Sequence, residues 1–190
     1  MDVPDSVSIK EYFDEYVPKI FAEQVGGGAI LGMDGTVLGL QFDIGDGEKQ
    51  TYGLVVKDAK DLEIKEGAID NPTVKLEMTE DTWRKAVTGK MGGVTDTFTD
   101  VSQISRNKYD QLQNVKGTLS LDLALPDGSD AQIKVVFNNS DSPATTFKCA
   151  QDDWVAMSSG QLAGPTAFMS GKLKIEGDMA FAMGLSSLVG

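Results

Sequence analysis

Histidine is absent from this 190-residue chain. Its absence removes the side chain most used as a general base near neutral pH, and the commonest nitrogen ligand for zinc, copper or iron. Cysteine is almost absent too. Cys149 stands alone, so an internal disulfide and a thiolate metal cluster are both excluded, and a reducing cytoplasm is the expected compartment. Arginine occurs only as Arg84 and Arg106, so a phosphorylated cofactor would depend on lysines or backbone amides. Positive charge is scarce overall, with 17 basic against 29 acidic residues and a net charge of −12. Such a surface repels phosphate backbones and anionic membranes. Nucleic acid is therefore not expected as a partner, and membrane contact is at most transient. No apolar run approaches the roughly 20 residues that span a bilayer. The opening MDVPDS lacks the basic and apolar regions of a signal peptide, so neither export nor anchoring is expected.

Partial motifs do not replace what is missing. Asp43, Asp46 and Glu48 beside Gly45 and Gly47, and Asp96 with Asp100, have scattered calcium-ligand spacing without the full acidic loop and its terminal glutamate. No metal or cofactor is expected. Gly26, Gly27 and Gly28 have no preceding strand and no dinucleotide-type spacing, and read as a flexible helix stop. Asn138, Asn139 and Ser140 spell a glycosylation sequon but read as a turn.

What is present is strong periodicity. From Ser6 to Gln24, Ile9, Tyr12, Phe13, Tyr16, Val17, Ile20 and Phe21 recur three and four apart, the mark of an amphipathic helix. Pro18 within it predicts a kink or two consecutive helices. Asp34-Gly35 signals a hairpin within 29–42, and Asp46-Gly47 a second turn. Strands are expected over 50–57, 61–65 and 73–78, then a helix from Thr79 to about Lys90, opened by Thr79 and Thr82 with Glu80 and Asp81. The polar stretch 91–114 predicts loop with short helical pieces. Residues 117–125 and 132–138 alternate cleanly about a turn at Asp127-Gly128.

Two stretches echo each other. Residues 73–89 and 145–160 both read as strand, acidic helix start, tryptophan-bearing helix and glycine, with Trp83 and Trp154 at matching places. The pattern suggests duplication of a strand–strand–helix unit, about 28–92 and 115–189, although two helices can share start and stop chemistry without common origin. A single domain over 1–190 is expected.

The end of the chain is the most distinctive part. GKLKIEG over 171–177 alternates as a strand, and after Asp178 no charged residue follows. Met179, Phe181, Met183, Leu185 and Leu188 fall on more than one face of a helix, so an ordinary core stripe would not bury them all. Such a helix requires the protein's interior, a partner, or an apolar ligand over which it acts as a lid. Eight methionines, among them Met157, Met169, Met179 and Met183, suit a site that adapts to ligand shape, although each one singly is better read as core.

The succession of the Trp154 helix, a short helix over 163–168, the GKLKIEG strand and the apolar final helix resembles the sterol-carrier-protein (type two, non-specific lipid-transfer) domain family. The similarity is most specific over about 145–188. Residues 6–89 resemble the front of the same domain, whereas 91–139 depart from it. The resemblance implies an α+β fold: a mixed, mainly antiparallel sheet with helices packed on one side, enclosing an apolar tunnel closed by the C-terminal helix. It implies reversible, non-catalytic burial of fatty acids, fatty acyl-CoA or sterol-like ligands. Pocket or lid residues are then Trp154, Met157, Phe168, Met179, Phe181, Met183, Leu185 and Leu188, with Trp83 as a further wall. Where relatives often carry glutamine before the GKLK strand, this chain has Ser170, a shorter polar neighbour for a headgroup. The peroxisomal address of some relatives is not present at the end of this sequence.

Two other classes stay open. A non-enzymatic accessory module could use the same apolar C-terminal surface to bind a protein partner, a partner enzyme or a second copy as a homodimer. An enzyme could use Asp152 or Asp153 as an acid beside an apolar pocket, although both suit a capping role at the start of the Trp154 helix.

Overall fold

In a computed structural model, residues 2–26, 32–94 and 96–189 are described, apart from the side chains of residues 97, 98, 186, 187 and 189. The chain opens with α1 (Ile9–Glu11), a π-helical turn (Tyr12–Tyr16) and α2 (Val17–Val25). Ser8 Oγ accepts the Glu11 N–H and sets the start. Pro18 falls in the first turn of α2, so the stretch is built of consecutive short helical elements, in keeping with its position in the sequence. The wide turn before it, where the Val17 N–H donates to Tyr12 O, absorbs the missing proline donor. Of the glycine stop, Gly26 caps α2, while Gly27 and Gly28 lie outside the described residues.

Next come β1 (Val37–Ile44), β2 (Gln50–Lys57), β3 (Asp61–Glu66), β4 (Val74–Met78) and α3 (Glu80–Val87). Thr79 Oγ1 accepts the Thr82 N–H and caps α3. Asp34-Gly35 is a turn leading into β1 and not a hairpin tip, because β1 pairs with β2 and β4; residues 29–31 of the expected first arm lie outside the described set. The polar middle holds α4 (Asp96–Thr99), a 3-10 turn (Val101–Gln103) and α5 (Arg106–Asn114), capped by Asp100 and Ser105. The remainder is β5 (Gly117–Ala124), β6 (Asp130–Phe137), β7 (Ala144–Ala150), α6 (Gln151–Ser158), α7 (Gly164–Met169), β8 (Leu173–Gly177) and α8 (Met179–Val189).

The eight strands form one mixed sheet in the order β3-β2-β1-β4-β6-β5-β7-β8. Only the β1–β4 and β5–β7 pairs are parallel. Side chains alternate across it. Leu40, Leu54, Leu76, Val135, Leu119, Phe147 and Leu173 point to the face where Phe13, Trp83, Trp154 and Leu185 join the same buried cluster. The opposite face is polar, and there Glu77 meets Lys49, Lys75 and Lys134 at 2.8, 3.1 and 3.6 Å.

One pairing pattern occurs twice. Leu40 of β1 stands opposite Leu54 and Val74, and Leu119 of β5 stands opposite Val135 and Thr145. In each half the parallel strand runs straight into a tryptophan helix, and β4 and β6 join the halves.

Candidate functional site

Sheet and helices separate beneath the end of the chain, where a cleft of about 320 Å³ opens. Its floor is the apolar face of β7 and β8, contributed by Phe147, Leu173 and Ile175. Trp154 and Met157, one helical turn apart on α6, form one wall. Gly160, Leu162 and Ala163 follow α6, and α7 adds Gly164, Pro165 and Phe168. Ala182 and Met183 of α8 complete the lining.

Burial is uneven across this set. Trp154 is fully buried and its indole N–H donates to Val94 O at 3.1 Å, so it presents carbon to the cleft. Phe168 and Met183 are 44% and 49% exposed, which puts them at the mouth. Every lining side chain is apolar or absent. Such a surface holds hydrocarbon by excluding water and has no group with which to bind a metal or move a proton. Among the described residues no three acidic or sulfur side chains gather around a point that could hold a metal ion.

Four of the residues expected from sequence, Trp154, Met157, Phe168 and Met183, line this cleft. Ser170 closes α7, its hydroxyl donating to Ala167 O at 3.1 Å. Met179 stands exposed at the start of α8. Phe181 packs its ring against Gly117, and Leu185 and Leu188 are buried in the core. Trp83 lies in the other half, edge-on to Tyr12 at 5.6 Å. Phe147, Leu173 and Ile175 escaped the sequence reading, although their two-residue spacing and apolar character mark the inner face of β7 and β8.

Asp152 and Asp153 do not cap α6. Ala150 holds the cap position without a side-chain bond, and the two acids sit in the first turn, where the helix dipole favours them. Asp153 pairs with Lys172 at 2.9 Å. Burial, helped by Asp153, pushes the Cys149 thiol up to about 12.

Residues 98–190 match the SCP-2 sterol transfer family. This part of the chain is an SCP-2 sterol transfer domain. The match takes in α5, β5 and β6, so most of the stretch read from sequence as departing from the family is corrected to part of its domain. Residues 6–89, which resemble the front of such a domain, fall outside the match.

Hydroxysteroid dehydrogenase-like protein 2 of Bos taurus is 48% identical over 50 residues, or 26% of this chain and 12% of that protein. The Homo sapiens protein of the same name gives the same figures, so the likeness spans 12% of these curated relatives' length. Sterol carrier protein 2 from Yarrowia lipolytica is 18% identical with a TM-score of 0.38, covering 54% of this chain and 88% of that one. The sterol carrier protein domain 2 of Helicoverpa armigera is 26% identical with a TM-score of 0.35, covering 52% and 78%. SCP-2 domains of this family bind apolar lipids in general. Among the described residues of this chain no helix is long and apolar enough to cross a membrane.

Proposed function

We propose that the chain is a non-catalytic cytoplasmic lipid carrier that buries the hydrocarbon part of a fatty acid, fatty acyl-CoA or sterol-like molecule in the cleft between β7, β8 and helices α6 to α8. The apolar lining of Trp154, Met157 and their neighbours carries this reading. Helix α8 acts as the lid. It contributes Ala182 and Met183 to the cleft, and its start is fixed by Asp178, whose carboxylate accepts the Phe181 N–H. Ser170, with Met179, Phe181, Leu185 and Leu188 of the lid, responds to ligand indirectly through the position of α7 and α8. The chain acts as one domain made of two like units, of which the second keeps the ligand site.

Retention of a fluorescent fatty acid tests the reading. Ala182→Phe fills the cleft from the lid and should weaken retention at least tenfold while leaving the thermal midpoint within a few degrees; removal of everything after Asp178 should abolish it. Unchanged affinity in the folded Ala182→Phe protein would refute the site. The exposed side chains of Phe168, Met169, Met179 and Met183 support a second reading, a partner or dimer surface. Native mass spectrometry of gently purified protein separates the two: co-purifying lipid favours the carrier, and lipid-free dimers favour the interface.

A further inference from the structure

We infer that the cleft selects uncharged apolar ligands, such as long-chain alcohols, neutral glycerides or sterols, over carboxylates and CoA thioesters of the same chain length; this rests on the carrier reading above. No lining residue bears a charge. The residues and side chains outside the described set include no lysine, arginine, aspartate or glutamate, so the placement of charged side chains is complete.

Both arginines, Lys148 and Lys172 are engaged by acidic or backbone partners. Arg84 donates to Asp5 O and Val7 O and pairs with Glu80. Arg106 donates to Gly32 O and Asp34 O and pairs with Asp110. Nearer the cleft, Lys172, the residue before the lining Leu173, is held at 2.9 Å by Asp153, the residue before the lining Trp154. Lys148 pairs with Glu176 on the polar face, where Lys174 stands opposite Lys148 in register.

Two side-chain donors beside the cleft are spent as well. The Trp154 N–H is given to Val94 O and the Ser170 hydroxyl to Ala167 O. From residue 151 onward the charged residues are Asp152, Asp153, Glu176 and Asp178 against Lys172 and Lys174, and the whole protein carries −12. A carboxylate or a CoA phosphate at the mouth therefore meets net repulsion and no charged side chain in the lining. A hydroxyl meets neither penalty, since it stays hydrated at the mouth.

Binding of radiolabelled hexadecanol and palmitate to the full chain, stripped of lipid and supplied with ligand from cyclodextrin at pH 8, tests this. Hexadecanol should bind at least about fivefold more tightly at about 0.01 M salt, where charge acts over roughly 30 Å, and the advantage should shrink at about 1 M, where it acts over about 3 Å. Asp153→Asn, which releases Lys172, should raise palmitate affinity severalfold and leave hexadecanol unchanged. Palmitate binding as tightly as hexadecanol at low salt would overturn the selectivity and leave the carrier reading standing. Failure to retain either ligand would overturn both.

Discussion

The indole N–H of Trp154 donates to the carbonyl of Val94, sixty residues earlier, at 3.1 Å. This bond ties a wall of the cleft to the segment that leaves α3. The neighbouring Gly93, at φ +78°, takes a backbone conformation that suits glycine and lies beside the Val155 methyls of α6. The first half of the chain thereby fixes the helix that shapes the cleft in the second.

Trp83, the counterpart of Trp154, has its indole nitrogen buried without a hydrogen-bond partner among the described residues. Substitution to phenylalanine removes similar ring volume at both sites but strips a hydrogen bond at only one. Trp154→Phe, which leaves the buried Val94 carbonyl unpaired, should therefore cost about 1–2 kcal/mol more than Trp83→Phe. Urea unfolding of the two variants measures the difference; equal losses would remove the Val94 bond from the account.

Glu77 sets a pH dependence on the polar face. Burial raises its carboxyl, but hydrogen bonds from Lys49 and Lys75 and the charge of Lys134 outweigh burial and bring it from near 4.5 to about 2. Its ionised form therefore favours the folded state above about pH 4.5, and that contribution is lost as pH falls from there to about 2. Glu77→Gln should destabilise the protein by about 1–3 kcal/mol at pH 7. It should also flatten the acid limb of stability between about pH 4.5 and 2, as thermal unfolding across that range would show.

Local chemistry made much of the fold readable. Asp46-Gly47 and Asp127-Gly128 lie between paired strands, and the alternation of 117–123 places Leu119, Leu121 and Leu123 in the core. The tail was harder. An apolar helix with several apolar faces does not say which face meets cleft, core or solvent; Ala182 and Met183 reach the cleft, whereas Leu185 and Leu188 go to the core. That choice is made by the position of β7, β8 and α5 around α8, which is a tertiary fact. Pro18 marks the break between consecutive helical elements but not its form, a π-helical turn closed by the Val17 N–H on Tyr12 O.

Gly117 controls the seat of α8. At φ +133°, a Cβ there would lie 2.5 Å from Pro143 O and 2.7 Å from the Phe181 ring. Gly117→Ala should strain β5 and push Phe181 outward, costing about 2 kcal/mol or more. Phe181→Ala would relieve the ring clash, though not the backbone one, so the double variant should be more stable than the sum of the single effects predicts. Strict additivity would show that the two residues do not bear on each other.

Cys149 offers an internal reporter of opening. It is 8% exposed, on the strand that floors the cleft, and burial with help from Asp153 pushes its thiol up to about 12. Since the thiolate is the reactive species, alkylation at pH 8 should be far slower in the native protein than in urea. The raised value also means that the neutral thiol favours the folded state up to about pH 9, and that this contribution is lost as pH rises from there towards 12. If α8 lifts to admit ligand without disturbing β7, bound hydrocarbon should leave the alkylation rate unchanged; if ligand entry opens the sheet edge at β8, which covers Cys149 through its pairing with Leu173, the bound state should be protected severalfold. Mass-spectrometric timing of iodoacetamide uptake, with and without hexadecanol, distinguishes these outcomes. Rapid native alkylation at pH 8 would contradict the burial from which both follow.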